Sequence, residues 1–206
     1  MIELYLIRHG ESEANTIRKY IGGRVSNSIL TPKGIYQAKR LKRILRINNI
    51  KFDVIYSSSA IRAISTACLS VNPENSNINY FENLEEITMG DWSGKLRSKI
   101  YTPEVLEQIK KEQLDFKAPN GESQREVADR YEHFINTKVI TLENNTKVAI
   151  YGHGYAFKCW LQRTLNFDWQ YMFPMVLNNC SITKLSYDKI EKLWQINYIN
   201  HTEDIQ

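Results

Sequence analysis

Short, β-favouring apolar runs alternate along this chain with amphipathic segments of ten or more residues, and few architectures accommodate that alternation. Residues 2–7, 52–56 and 147–151 are runs of strand type. Helical patterns follow them. Thr31-Pro32 predicts a helix start, with Thr as cap and Pro at the first helical position, and residues 34–48 continue it. Ile35, Ala38, Leu41, Ile44 and Leu45 recur there at helical spacing. Residues 60–70 predict a second helix, with the Ser57-Ser58-Ser59 cluster placed to cap it. Residues 123–142 read as a long amphipathic helix with Val127, Tyr131, Phe134 and Ile135 on one side, and 155–165 as another. Two alternating segments, 181–187 and 193–199, predict final strands across a polar turn. The Asn- and Pro-loaded stretch 71–83 reads as a loop, and 91–120 as a helical pattern broken at Gly94 and Pro103. Strands alternating with helices of this length imply βαβ units and a parallel sheet covered on both faces. The expected fold is therefore one α/β domain over residues 1–206: a three-layer α/β/α sandwich with a mostly parallel central sheet. A small helical cap insertion is expected at about residues 87–120.

Composition narrows the classes further. A chain of 206 residues can bury a full core without disulfides or metal staples. With 42% hydrophobic and 24% charged residues it is neither disordered nor membrane-embedded in character, and no apolar run approaches the roughly 20 residues of a membrane span. The formal charge of +4 is spread along the chain. The densest basic group, Lys39, Arg40, Lys42 and Arg43, falls on a helical face, so no nucleic-acid partner is expected. Cys68, Cys159 and Cys180 lie far apart with no zinc spacing, which suits a reducing compartment. The opening MIELYLIRHGE reads as a first strand rather than a signal peptide, and the expected location is the cytoplasm. Either a monomer or a homodimer is compatible with these features.

The chemistry concentrates where strands end. Leu6-Ile7-Arg8-His9-Gly10 and Ile150-Tyr151-Gly152-His153-Gly154 each finish in a histidine beside glycine. In open α/β sheets ligands bind outside the carboxyl ends of the strands, so both histidines are expected at the ligand edge. Glycine after each lets the backbone turn sharply and a ligand approach the main chain. Arg8 adds a permanently charged fork suited to phosphate or carboxylate. Arg62 stands in the first turn of the helix after the second strand, and a helix N-terminus with an arginine is an anion site. Two histidines, two arginines and a helix N-terminus describe an anion pocket holding a nucleophile. Metal binding is the competing use of the histidines, opposed by two arginines that would repel a cation; no metal and no cofactor are expected.

These residues also carry a resemblance. The string LIRHGESEAN resembles the signature of the histidine phosphatase superfamily, the phosphoglycerate mutase-like family. The stretch Asn27-Ser28-Ile29-Leu30-Thr31-Pro32-Lys33-Gly34 is similar to the family's helix start after the first loop, and the segment of Arg62, Thr66 and Ala67 to its second arginine segment. Leu84-Glu85-Glu86-Ile87-Thr88-Met89-Gly90 resembles its acid segment, and Asn120-Gly121-Glu122-Ser123 and Asn179-Cys180-Ser181-Ile182 fit family habits. The resemblance implies a phosphomonoesterase working on a small phosphorylated metabolite. His9 would be the nucleophile, passing through a phosphohistidine. Arg8, Arg62 and His153 would bind phosphoryl oxygens. Glu86 would be the acid and then the base, with Glu85 and Asp91 as rivals. Asn15 and the Gly154 amide would add phosphate contacts. The run Tyr20-Ile21-Gly22-Gly23 is similar to the fructose-2,6-bisphosphatase branch, which makes Gly22 a candidate substrate contact. The mutase branch usually carries Arg-His-Tyr-Gly after its acid; Ile87-Thr88-Met89-Gly90 stands there instead, so phosphatase is favoured over mutase. A phosphate-binding regulatory module without turnover is the remaining alternative. Trp92, Tyr101 and Phe116 are candidates to line a lid or to pack as core.

Overall fold

The computed structural model describes residues 1–25, 27–71 and 77–202. Six strands form one sheet in the order β3-β2-β4-β1-β5-β6. These are β1 (Ile2–Arg8), β2 (Val54–Ser58), β3 (Ile78–Phe81), β4 (Lys147–Gly152), β5 (Ile182–Asp188) and β6 (Leu193–His201). The four strands from β3 to β1 are mutually parallel, while β5 and β6 are antiparallel additions on the far side of β1. Among the described residues no helix is long and apolar enough to cross a membrane.

Side-chain alternation on the central strands builds a core on each face. From β1, Ile2, Leu4 and Leu6 point to one side with Val148 and Ile150 of β4. They meet Val127, Tyr131 and Phe134 of α6 (Gln124–Lys138) and Phe157, Trp160 and Leu161 of α7 (Gly154–Leu165). Tyr5 and Ile7, with Ala149 and Tyr151, point to the other side, against Ala38, Leu41 and Leu45 of α2 (Pro32–Ile47) and Ala67 of α3 (Ile61–Ser70). This is the expected α/β/α sandwich. Caps follow the sequence signals. Thr31 Oγ1 accepts the Gly34 N–H at 3.0 Å, and Ser123 with Glu126 forms a reciprocal capping box at the start of α6.

Three local expectations need correction. The stretch 71–83 is not wholly loop. Residues 72–76 lie outside the described residues, but β3 pairs with β2 in parallel, Ile55 opposite Ile78. A four-residue edge strand needs partners on one side only, so its pattern is too short to stand out. The serine cluster does not precede α3 as its cap: Ser57 and Ser58 belong to β2, and the N-cap is Ala60, whose N–H donates to Ser58 Oγ at 3.2 Å. Pro103 is not a breaker but the first residue of α5 (Pro103–Glu112), capped by Thr102. That helix follows the short α4 (Arg97–Ile100) in the segment between the acid-bearing stretch and α6.

The loop after β1 lies on the first turn of α2. Its Glu11 carbonyl accepts the Thr31 N–H at 3.0 Å, and a Cβ added to Gly34 would stand 1.9 Å from that carbonyl oxygen. Helix propensity alone favours Gly34→Ala by up to about 1 kcal/mol. The contact is with backbone that cannot swing aside, and overpacking of this kind costs about 1–3 kcal/mol. We expect Gly34→Ala to give a net destabilisation of about 1–2 kcal/mol, read as a lowered urea midpoint; a raised midpoint would show that the loop is free to move.

Candidate active site

The parallel register of β1 and β4 pairs Arg8 with Gly152, so both chains leave the sheet at one edge. The His9 N–H donates to the Gly152 carbonyl at 3.0 Å, and the rings of His9 and His153 lie edge to face with centroids 5.2 Å apart. Both are buried, at 3% and 0% exposure, which no surface histidine pair would be. Strand β2 ends beside them, and α3 then turns Arg62 back toward the two rings.

Arg62 joins them. Its Nε–H points at His9 Nε2 at 3.2 Å and its Nη2–H at His153 Nδ1 at 3.1 Å, while Nη1 donates to the Val25 carbonyl. A guanidinium has donors only, so the facing ring nitrogens must offer lone pairs. The remaining nitrogens then carry the protons. His9 Nδ1–H donates to the Gly10 carbonyl at 2.6 Å, and His153 Nε2–H donates to Ser58 Oγ at 2.8 Å. The network thus assigns both tautomers. Burial, with the Arg8 and Arg62 charges added, holds the His9 pKa well below the ordinary histidine range. For His153 burial again leads, followed by Arg62. Both imidazoles are neutral at pH 7, and His9 Nε2 presents an unprotonated lone pair.

The second arginine lies across the start of α7. Arg8 Nη1 donates to the Leu177 carbonyl at 2.5 Å, and its Nε is a buried donor with no protein partner. A Cβ on Gly154 would sit 3.0 Å from that Nε, so glycine leaves Arg8 its place. Glu86 reaches the same helix end. Its Oε1 accepts the Ala156 N–H at 2.8 Å and the Ile87 N–H at 2.9 Å, and its Oε2 accepts the Tyr155 N–H at 3.1 Å. The N-terminus of α7 therefore holds the Glu86 carboxyl group beside the histidine pair.

The rival acids are engaged elsewhere. Glu85 accepts from Ser59 Oγ at 2.7 Å and pairs with Arg24 at 3.2 Å; Asp91 is exposed and accepts from Asn120 at 3.1 Å. Asn15, on the short α1 (Glu13–Thr16), is half-buried, and its Oδ1 accepts from Ser12 N–H at 3.0 Å and Asn179 Nδ2 at 3.3 Å. Gly22, the candidate substrate contact, lines a cavity of about 430 Å3 together with Glu86. Glu86 and Tyr155 form one end of that cavity, and Ile87, Met89, Leu106, Ile109 and Phe116 supply apolar wall. Tyr101 also lines it, whereas Trp92 packs behind, 6.0 Å from Tyr101 and 5.6 Å from Phe116 by ring centroids. Among the described residues, no three His, Cys, Asp or Glu side chains converge as a metal site.

Several supporting residues were assigned no functional role in the sequence reading. Ser58, read as a cap, accepts the His153 proton. Thr66 Oγ1 accepts the Gly10 N–H at 3.0 Å, and Asn179 Nδ2 donates to the His9 carbonyl at 2.9 Å. Their roles depend on which strands lie side by side. The Asn179-Cys180-Ser181-Ile182 motif and the Arg62, Thr66 and Ala67 segment pointed to two of them without giving their contacts.

A curated relative from Proteus mirabilis, named "Probable phosphoglycerate mutase GpmB", is 29% identical over 192 residues, covering 91% of this chain and 86% of its own. The solved structure of a phosphoserine phosphatase in complex with 3-phosphoglyceric acid, from Entamoeba histolytica, is 25% identical with a TM-score of 0.85 and covers 100% of both chains. Bacillus stearothermophilus YhfR has the same fold at 24% identity, also with a TM-score of 0.85 and 100% coverage of both chains. The family model of the histidine phosphatase superfamily, branch 1, matches residues 4–202, and the chain belongs to that superfamily.

Proposed function

We propose that this chain is a metal-independent phosphomonoesterase that hydrolyses a small phosphorylated metabolite through a phosphohistidine on His9. The observation that carries the reading is the Arg62 bridge, which leaves His9 Nε2 unprotonated and places positive charge where phosphoryl oxygens would lie. The Nε2 lone pair leaves its hydrogen bond from Arg62 Nε, attacks phosphorus and forms the P–N bond, and the freed N–H turns to a phosphoryl oxygen. The ester P–O bond breaks, its electron pair staying on the leaving oxygen, and Glu86 in its acid form supplies the proton. Glu86, now a carboxylate, takes a proton from water; the water oxygen bonds to phosphorus and the P–N pair returns to His9. Arg8, with its unpartnered Nε, and Arg62 offset the charge on the non-bridging oxygens, joined by His153, Asn15 and the Gly154 amide.

Residues 87–120 act in this reading as a cap, since they supply much of the cavity wall next to Glu86. The organic part of the substrate fits there. A volume of about 430 Å3 lies in the range that holds drug-sized ligands, and the wall is mainly apolar. Ile87 and Met89 stand where a mutase would present its Arg-His-Tyr run, which favours water over a second hydroxyl as phosphoryl acceptor. The curated relative's name keeps isomerisation of a phosphoglycerate as the second reading.

Three measurements test this. His9→Ala should lower turnover of 4-nitrophenyl phosphate by at least about a thousandfold and abolish acid-labile phosphoenzyme in rapid-quench labelling, while EDTA leaves the wild-type rate unchanged. Retained turnover in the variant would exclude the mechanism. In a phosphate-release panel, an apolar ester such as 1-naphthyl phosphate should exceed 3-phosphoglycerate in kcat/KM, and product analysis should find no isomerised phosphoglycerate; the reverse order would favour the mutase reading. The buried neutral histidines also link stability to pH. Their folded pKa values are depressed, so between those values and the unfolded value of 6.5 the unfolded chain binds more protons. Stability is full above about pH 6.5 and falls below it, with a slope approaching about 1.4 kcal/mol per pH unit for each histidine. Urea titrations at pH 7, 6 and 5 should show that loss, and His9→Asn should make it shallower.

A further inference from the structure

The acid-bearing segment is held at unusually many points. The Asn83 carbonyl accepts from Arg130 Nη1 at 2.8 Å, and the Leu84 carbonyl from Tyr131 OH at 2.6 Å. The Thr88 N–H donates to Glu122 Oε2 at 3.0 Å, and Arg130 Nε pairs with the other Glu122 oxygen at 2.9 Å. Arg24 completes the set: its Nε–H reaches the Glu86 carbonyl at 3.1 Å and Glu85 Oε2 at 3.2 Å, and its Nη2 donates to Glu122 Oε2 at 3.0 Å. Arg24 is thus the residue that grips Glu86 by its own main chain.

The loop that carries Arg24 touches both halves of the site. Gly23 has φ +121°, and a Cβ there would stand 2.8 Å from the Ile87 carbonyl oxygen, so the loop presses directly on the acid segment. The next residue after Arg24 supplies the carbonyl that receives Arg62 Nη1. Two consecutive residues therefore join the guanidinium beside the nucleophile to the main chain of the acid. We propose that Arg24 is a positioning residue for proton delivery: it sets where the Glu86 carboxyl stands relative to the oxygen leaving phosphorus. This rests on the reading of Glu86 as general acid.

Leaving-group basicity separates positioning from simple damage. An alkoxide leaving from phosphorus needs its proton in the transition state, whereas a nitrophenoxide leaves well without one. kcat/KM reports the step in which the P–O bond breaks, whichever later step limits turnover. For Arg24→Ala we expect kcat/KM to fall about 30-fold on 2-phenylethyl phosphate and less than about threefold on 4-nitrophenyl phosphate, a loss smaller than the 10²–10⁴-fold that removing a general acid outright costs. Arg24→Lys, which keeps one donor for the Glu86 carbonyl, should lie between. Glu86→Gln should show the same selectivity with a larger loss, and the double variant should lose no more than Glu86→Gln alone. Equal losses on both esters would make Arg24 merely structural and overturn the proposal. Full activity on both, with Glu86→Gln still selective, would overturn it as well. If Glu86→Gln itself failed to discriminate between the esters, the acid assignment would fall, and this inference with it.

Discussion

A single buried guanidinium shared between two imidazoles governs the chemistry of this site. Arg62 is 3% exposed and meets His9 and His153 with different nitrogens. Because it can only donate, it turns each ring so that a lone pair faces it, and the ring protons sit on the opposite nitrogens, which donate to the Gly10 carbonyl and Ser58 Oγ. The same positive charge that orders the rings resists their protonation. Geometry and charge state thus have one cause. A buried cation is ordinarily costly. Among the described residues no carboxylate pairs directly with Arg62, and Glu86 and Glu85 offset its charge from farther away.

The sheet makes this sharing possible. Strands β1, β4 and β2 run parallel and end at one edge, so residues 9, 153 and 58 meet although they are far apart in sequence. Helix α3 follows β2 closely enough for its first turn to reach the rings, and α7 begins at His153 with its free amides toward Glu86. Each strand supplies one functional group at its end, and the helix after it supplies the next.

Much of this could be read from the residues. Strand and helix types were legible because periodicity and caps are local, and the two His-Gly endings located the ligand edge because strand direction follows from parallel connections. The helix start after the second strand brought out Arg62, and the family resemblance brought out Glu86. What the sequence did not disclose depends on register and on packing between distant segments. Ser58 looked like a cap because nothing in Ser57-Ser58-Ser59 tells which hydroxyl faces β4. β3 hid in an Asn-rich stretch because an edge strand of four residues has almost no pattern. Arg24 carries no pattern of its own, since its three acceptors come from residues 85, 86 and 122.

The antiparallel direction of β5 has a consequence for how the site comes into being. Because β5 runs opposite to β1, it begins at the edge where β1 ends, and the turn before it brings Leu177 to Arg8 and Asn179 to the His9 carbonyl. Strand β1 is thus enclosed on one side by β4 and on the other by β5, both more than a hundred residues later in the chain. In synthesis β1 precedes by that distance the turn at 177–181 that backs its end. Such distant pairings close slowly. Until β5 docks, the Arg8 side chain and the His9 carbonyl lack the partners that Leu177 and Asn179 supply.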